Sequence, residues 1–285
     1  MPQPVARIGA PTVIPKIGSI DFLNADPLCQ KLAEVESRWE IIADLPSVLA
    51  NSLRMGDLDV ALVPQVEACR NENYKILPGY CISCDGPVGS ILLFGDKPWD
   101  QLEKVSVDHA SNSSVQLLSV LRHLDGLSPL ELKVGPSNLS ALEDQEQGES
   151  VLLIGDSALE HAVSSVPRLD LGMMWKERTG LPFVFAFWLS RGPIQDWIVE
   201  SIRKTAQLGL ADRTSIAEKY CQKNPGILDV PAAVDYLHEK IRYDLGEPQI
   251  EAISEFHRLR CELDNSLDPG WKPEFLQSSE NGTWS

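Results

Sequence analysis

The stretch Gly18–Leu32, GSIDFLNADPLCQKL, decides how the chain is read. A short apolar strand, Lys16 to Ile20, runs through Phe22 and Leu23 into Asn24, and a helix then opens at about Pro27. Asp26 and Pro27 suit a helix start, because Asp accepts orphan backbone N–H groups and Pro gives up an N–H that has no partner there. Asn24 has no such local reason. It is either the residue of an Asx-turn before the helix or an amide offered to a ligand.

The same grammar of apolar strand, polar loop and helix recurs twice. Lys104 to Val107 leads through residues 108–114, DHASNSS, into a helix carrying Val115, Leu118, Leu121 and Leu124. Val151 to Ile154 leads through Gly155, Asp156 and Ser157 into another. Repeated βα units predict parallel sheets, with ligands bound beyond the carboxyl ends of the strands. An internal echo points the same way: residues 46–64 and 138–155 both read as an amphipathic helix, a stopping glycine (Gly56, Gly148) and a buried strand.

Two further apolar runs, GSILLF at 89–94 and FVFAFWL at 183–189, are too short for helices and rich in β-branched or aromatic residues. Taken as crossing strands, they give an α/β chain of two lobes with a ligand cleft between them. Residues 1–95 and 186–285 form the first lobe, and residues 96–185 form an inserted second lobe. Beyond Pro193 the chain reads as helical, ending in a long amphipathic segment from about Pro231 to Leu263. The last twenty residues read as a poorly ordered tail.

Composition narrows the function. The chain has 285 residues, 43% hydrophobic and 23% charged, with a formal charge of −16. Ordinary hydrophobicity without a long apolar run argues against a membrane span, and the acidic balance argues against a nucleic-acid footprint. Three prolines among the first eleven residues and no apolar core make the N-terminus unlike a secretory signal, so a cytoplasmic location is expected. Of the six cysteines, only Cys81 and Cys84 show a metal- or redox-type spacing; with no second pair they read as small packing residues.

The motifs FLNADPL (22–28), DVALVPQVE (59–67), YKILPGYCISCDGPVGSILLF (74–94), VSVDHASNSSVQLL (105–118), LLIGDSAL (152–159), DLGMMWKERTGLPFVFAFW (170–188) and IRYDLGEPQIEAISEF (241–256) resemble, in order, those of the chorismate dehydratases. These enzymes open the futalosine route to menaquinone on a fold similar to type II periplasmic binding proteins. The resemblance implies a lyase that dehydrates the small molecule chorismate without metal or organic cofactor, with Asn24 and Ser90 as catalytic residues. It also implies substrate-binding roles for Ser111, Ser113, Ser114, Gly155 and Asp156.

Each of these residues also has a plain structural reading. Asn24 could close a turn, Ser90 pair with backbone in a strand, and one of the three serines cap a helix. Gly155 could form a turn and Asp156 an N-cap. Asn112 stands where the family usually has an arginine, so hydroxyl and N–H groups rather than a cation would hold a carboxylate there. His109 reads as a loop residue, and Trp175, Phe185 and Trp188 as core. Two alternatives remain: a two-lobed solute-binding or sensor protein for a small dicarboxylate, and the related 1,4-dihydroxy-6-naphthoate synthase. The Ser-Pro-Asn-Asp opening and histidine loop of the latter are not matched.

Overall fold

The computed structural model describes residues 14–107, 112–135, 149–162 and 164–277. Among the described residues there are eleven strands: β1 (Lys16–Ser19), β2 (Glu40–Ala43), β3 (Val60–Pro64), β4 (Lys75–Cys84), β5 (Ile91–Phe94), β6 (Lys104–Val107), β7 (Glu131–Val134), β8 (Glu149–Ile154), β9 (Arg168–Asp170), β10 (Phe183–Ser190) and β11 (Arg242–Leu245). They form a six-stranded sheet of order β11-β4-β10-β3-β1-β2 and a five-stranded sheet of order β7-β6-β8-β5-β9.

The βα units supply the parallel part of each sheet. β1 runs parallel to β2 and β3, and β6 runs parallel to β7 and β8. The crossing strands are antiparallel to their neighbours: β10 against β3 and β4, and β5 against β8 and β9. All residues of β3 and β10 are buried, as expected of central strands covered on both faces.

Each crossing strand belongs wholly to one sheet. β5 sits in the second sheet and β10 in the first, so the chain changes sheet between Cys84 and Ile91 and again between Thr179 and Phe183. Both changeovers precede the positions 95/96 and 185/186 read from the sequence, because the apolar runs are strands of the destination sheet and the polar turns before them do the crossing.

Those turns are tightly held. In the first, Gly89 lies in the left-handed region (φ 73°), and the Asp170 carboxylate accepts the Val88 and Gly89 N–H groups at 3.1 and 2.7 Å while also capping helix Leu171–Thr179. In the second, the Trp175 indole donates to the Pro182 carbonyl at 2.8 Å, and Thr179 Oγ1 accepts from Leu181 N–H at 3.1 Å. Trp175, Phe185 and Trp188 are buried, as are Cys81 and Cys84.

Helix Pro46–Met55 buries Leu49, Ala50 and Leu53 and stops at Gly56 in the left-handed conformation (φ 89°). The matching helix expected after Asn138 lies outside the described residues; the strand that follows it is β8.

Three expectations are corrected. The helix after Asn24 is two single turns, Asp26–Cys29 and Leu32–Val35, separated at Gln30 and Lys31. Asp26 is its first helical residue, and Ala25 occupies the cap position without a side-chain hydrogen bond.

The segment from Pro231 to Leu263 is not one helix. Helix Val230–Asp235 widens into a π-turn at Tyr236–Lys240, gives way to β11, and resumes as helix Glu247–Leu263. The alternation of buried Tyr243 and Leu245 with exposed Arg242 and Asp244 has the period of an edge strand. Gly246, whose N–H is accepted by the Gln249 side chain at 3.2 Å, and Pro248 then restart the helix.

The tail is ordered through Gln277. Trp271 stacks 4.7 Å from His257, Ile76 exchanges backbone hydrogen bonds with Glu274 and Leu276 (2.8 and 2.9 Å), and Leu276 is buried. Residues 278–285 lie outside the described chain.

One buried cluster runs through both sheets, and a smaller one, with Leu92, Phe94, Val151, Leu153 and Ala158, lies in the second. No helix among the described residues is long and apolar enough to cross a membrane.

The Asn24 turn rests on helix Asp196–Ala211, where Gly209 lets the Pro27 carbonyl approach; a Cβ on Gly209 would lie 2.1 Å from that oxygen. Alanine inside a helix ordinarily stabilises by about 1 kcal/mol over glycine. Here the close contact reverses the sign, and Gly209→Ala is expected to destabilise by about 1–3 kcal/mol. Thermal unfolding checks this; an unchanged or raised Tm contradicts it.

Candidate active site

Between the sheets lies a cleft of about 590 Å³ including its mouth, lined by residues from both. The first sheet contributes Asn24, beyond the carboxyl end of β1, and Pro64, which ends β3. The second contributes Gly155, just past β8, and Ser113 and Ser114, just past β6. Both groups sit at strand carboxyl ends, where βα architecture places ligands.

Asn24 reaches the cleft because the chain turns sharply after β1. The Phe22 carbonyl accepts from Ala25 and Asp26 N–H at 2.8 and 3.1 Å, sending Leu23 and Ala25 into the core while Phe22 and half-buried Asn24 line the opening. The Asn24 carbonyl accepts from the Tyr243 hydroxyl at 3.1 Å.

Ser90 ends the first crossing turn and is 1% exposed. Its carbonyl accepts from Gly155 N–H at 2.8 Å, and its hydroxyl oxygen accepts from the Tyr236 hydroxyl at 2.8 Å. Gly155 has φ 57°, a conformation that favours glycine.

Ser113 and Ser114 are not loop residues. They belong to the first turn of helix Asn112–Leu124, are buried, and line the cleft; Ser113 Oγ donates to the Phe185 carbonyl at 3.3 Å, bridging from helix to β10. Ser111 and His109 lie outside the described residues.

Five of the seven residues singled out from the sequence therefore meet in one place: Asn24, Ser90, Ser113, Ser114 and Gly155. Asp156 parts from them. Helix Gly155–His161 is capped at Ile154 without a side chain, and Asp156, its second residue, faces an adjoining cavity of about 880 Å³ that also includes its mouth. Asp21, Asp26, Tyr220, Lys219 and Lys223 line that cavity too. Ile20 and Phe22 form the wall shared by the two spaces.

The two compartments differ in charge. Apart from Asn24 and the serines, the described residues lining the cleft are apolar or glycine, and none is ionisable. The adjoining cavity gathers carboxylates: burial, with Asp21 and Asp156 nearby, pushes Asp26 up to about 7 despite the opposing pull of Lys223. Burial likewise raises Asp156, partly countered by a hydrogen bond with Tyr220. Among the described residues no group of three or more His, Cys, Asp or Glu is arranged to hold a metal ion.

Tyr236 and Tyr243 did not stand out in the sequence. Both lie in the segment read as one helix, where a tyrosine is one more amphipathic residue. The alternation Ile241, Tyr243, Leu245 before Gly246 is the signal that could have placed Tyr243 in a strand.

The family model described as menaquinone biosynthesis matches residues 15–262 of the chain. A chorismate dehydratase of Thermus thermophilus is 27% identical over 240 residues, covering 76% of this chain and 85% of that protein. A chorismate dehydratase of Campylobacter jejuni is 23% identical over 248 residues, covering 84% and 94%. In fold, the chain is similar to the periplasmic aliphatic sulphonate-binding protein SsuA of Escherichia coli, with TM-score 0.62, 13% identity, and coverage of 94% of this chain and 95% of that one. The two-lobed, type II periplasmic-binding-protein-like fold read from the sequence is therefore the observed one.

Asp26 yields a pH prediction. Its raised value means the fold favours the protonated form, so its contribution to stability is fully present below the ordinary carboxylate range, near pH 4, and is lost as pH rises through about 7. Asp26→Asn removes the cost of the buried charge. The variant is expected to exceed wild type by about 1–2 kcal/mol at pH 8, after discounting for partial exposure, and to match it near pH 4. Urea midpoints at the two pH values check this; a constant difference at both contradicts it.

Proposed function

The chain belongs to the menaquinone-biosynthesis family, and from that premise we propose that it is a lyase that dehydrates chorismate to 3-[(1-carboxyvinyl)oxy]benzoate. The observation that carries this reading is the meeting of Asn24, Ser90, Ser113, Ser114 and Gly155 on one cleft whose described lining residues carry no charge. The two curated relatives that bear the name chorismate dehydratase support it.

The chemistry asks the protein for orientation and charge stabilisation. The ring proton beside the enolpyruvyl ether is conjugated through the diene to the ring carboxylate, so its removal leaves a delocalised carbanion. Loss of the neighbouring hydroxyl as water then makes the ring aromatic, which drives the reaction forward. A cleft of fixed donors supplies the rest. The start of helix Asn112–Leu124 presents N–H groups that lack intrahelical partners, together with the positive end of the helix dipole, and suits a carboxylate. In this reading the Asn24 amide and the Ser90 hydroxyl donate to the departing hydroxyl or to the second carboxylate.

No described residue lining the cleft is a base. In this reading the substrate's own enolpyruvyl carboxylate takes the ring proton while the protein holds it in reach. An analogue lacking that carboxylate is expected to bind and remain unreacted, as measured by calorimetry and ultraviolet absorbance. Turnover of the analogue at the rate of chorismate contradicts this step.

The function is tested by mixing purified protein with chorismate and following the rise of a benzoate-type ultraviolet spectrum. Wild type is expected to convert it, and Asn24→Ala to lower kcat by about 10²–10³-fold, the usual loss for one donor at developing charge. Chorismate bound but unchanged would instead support a two-lobed binding protein. Chorismate neither bound nor changed would direct attention to the naphthoate-forming step.

A further inference from the structure

The π-turn Tyr236–Lys240 bears no part in the chemistry outlined so far, and π-turns inside helices concentrate at functional sites. The wide turn is closed by Ile241 N–H donating to the Tyr236 carbonyl at 3.1 Å. Tyr236 opens it and is 3% exposed, with its hydroxyl 2.8 Å from Ser90 Oγ, across 146 positions of sequence. The Asn24 side chain interacts with the same hydroxyl. Seven residues on, Tyr243 donates to the Asn24 carbonyl at 3.1 Å. One irregular segment thus touches both residues placed at the chemistry.

The consequence follows from counting protons. Burial disfavours ionisation of Tyr236, so its hydroxyl keeps a proton and can donate. When Ser90 Oγ accepts that bond, its own proton cannot point back at Tyr236, and Ser90 lines the cleft. A serine hydroxyl is otherwise a free rotor with one donor and two acceptor sites. Building on the dehydratase reading, we infer that Tyr236 is a positioning residue that fixes the Ser90 hydroxyl as a donor into the cleft and ties it to Asn24. Tyr236 acts through Ser90 and does not itself reach the substrate.

A double-mutant cycle on chorismate turnover tests this, using wild type, Tyr236→Phe, Ser90→Ala and the double variant, with kcat, KM and Tm measured for each. Tyr236→Phe keeps the ring and its packing and removes the hydroxyl. It is expected to lower kcat by about tenfold to a hundredfold, the scale of misplacing a reacting group, while KM changes less than threefold. In the Ser90→Ala background the same change is expected to cost less than twofold. Equal losses in both backgrounds, or an unaltered kcat in Tyr236→Phe, overturn the inference. Should Tyr236→Phe fold poorly, site-specific 3-fluorotyrosine at position 236, a near-isosteric and more acidic donor, replaces it. A kcat that shifts at unchanged Tm, with the shift abolished by Ser90→Ala, supports the coupling, and an unaltered kcat overturns it. Absence of turnover in wild type would refute the dehydratase reading itself, an outcome separate from any result within the cycle.

Discussion

The edge-to-face packing of Trp175 on Phe183 and Phe256 is the contact on which the rest of the molecule depends. Trp175 lies on a helix that follows the second sheet, Phe183 opens β10 in the first, and Phe256 belongs to the C-terminal helix, with ring centroids 4.9–5.8 Å apart. All three side chains are buried, and the Trp175 indole also holds the Pro182 carbonyl of the turn beneath it. Buried aromatic area of this kind dominates core energetics. Because the two sheets are joined here and by the Asp170-held turn before β5, their strand carboxyl ends face one another across a gap that needs no loop insertion to become a site. Asn24, Ser90, Gly155 and the start of helix Asn112–Leu124 are simply what those ends carry.

Charge is partitioned around that gap. With a net charge of −16, the molecule has every reason to repel an anion. The cleft answers with neutral donors and a helix start, while the nearby carboxylates are gathered behind Ile20 and Phe22, where burial holds Asp26 up to about 7. In a poorly solvated cleft fixed dipoles are worth more than they would be in water, so cations are not required for an anion to be held.

Much of this was legible in the residues. The βα grammar located β1, β6 and β8 and the loops that follow them, and Asn24 stood out because the helix start at Asp26 and Pro27 left its amide open to either a turn or a ligand. The crossing runs were found as strands, but the changes of sheet were placed too late, since an apolar run announces burial and says nothing of which sheet it joins. Asp156 shares a loop motif with Gly155, yet successive residues at a helix start point in different directions, and it faces the other cavity. The π-turn and β11 were hidden inside a plausible amphipathic helix. Their tyrosines matter through contacts to Ser90 and Asn24 across 146 and 219 positions of sequence, a separation that no local pattern reports.

The central claim is that a cleft between two joined lobes, uncharged among its described residues, holds a dianionic ring through neutral donors. A crystal structure with 3-[(1-carboxyvinyl)oxy]benzoate tests it most directly. The account predicts the ring between Asn24 and Ser90, one carboxylate on the start of helix Asn112–Leu124, and no lysine or arginine nitrogen within hydrogen-bonding reach of either carboxylate. A ligand seated instead beside Lys219 and Lys223, or paired with any guanidinium, would contradict it.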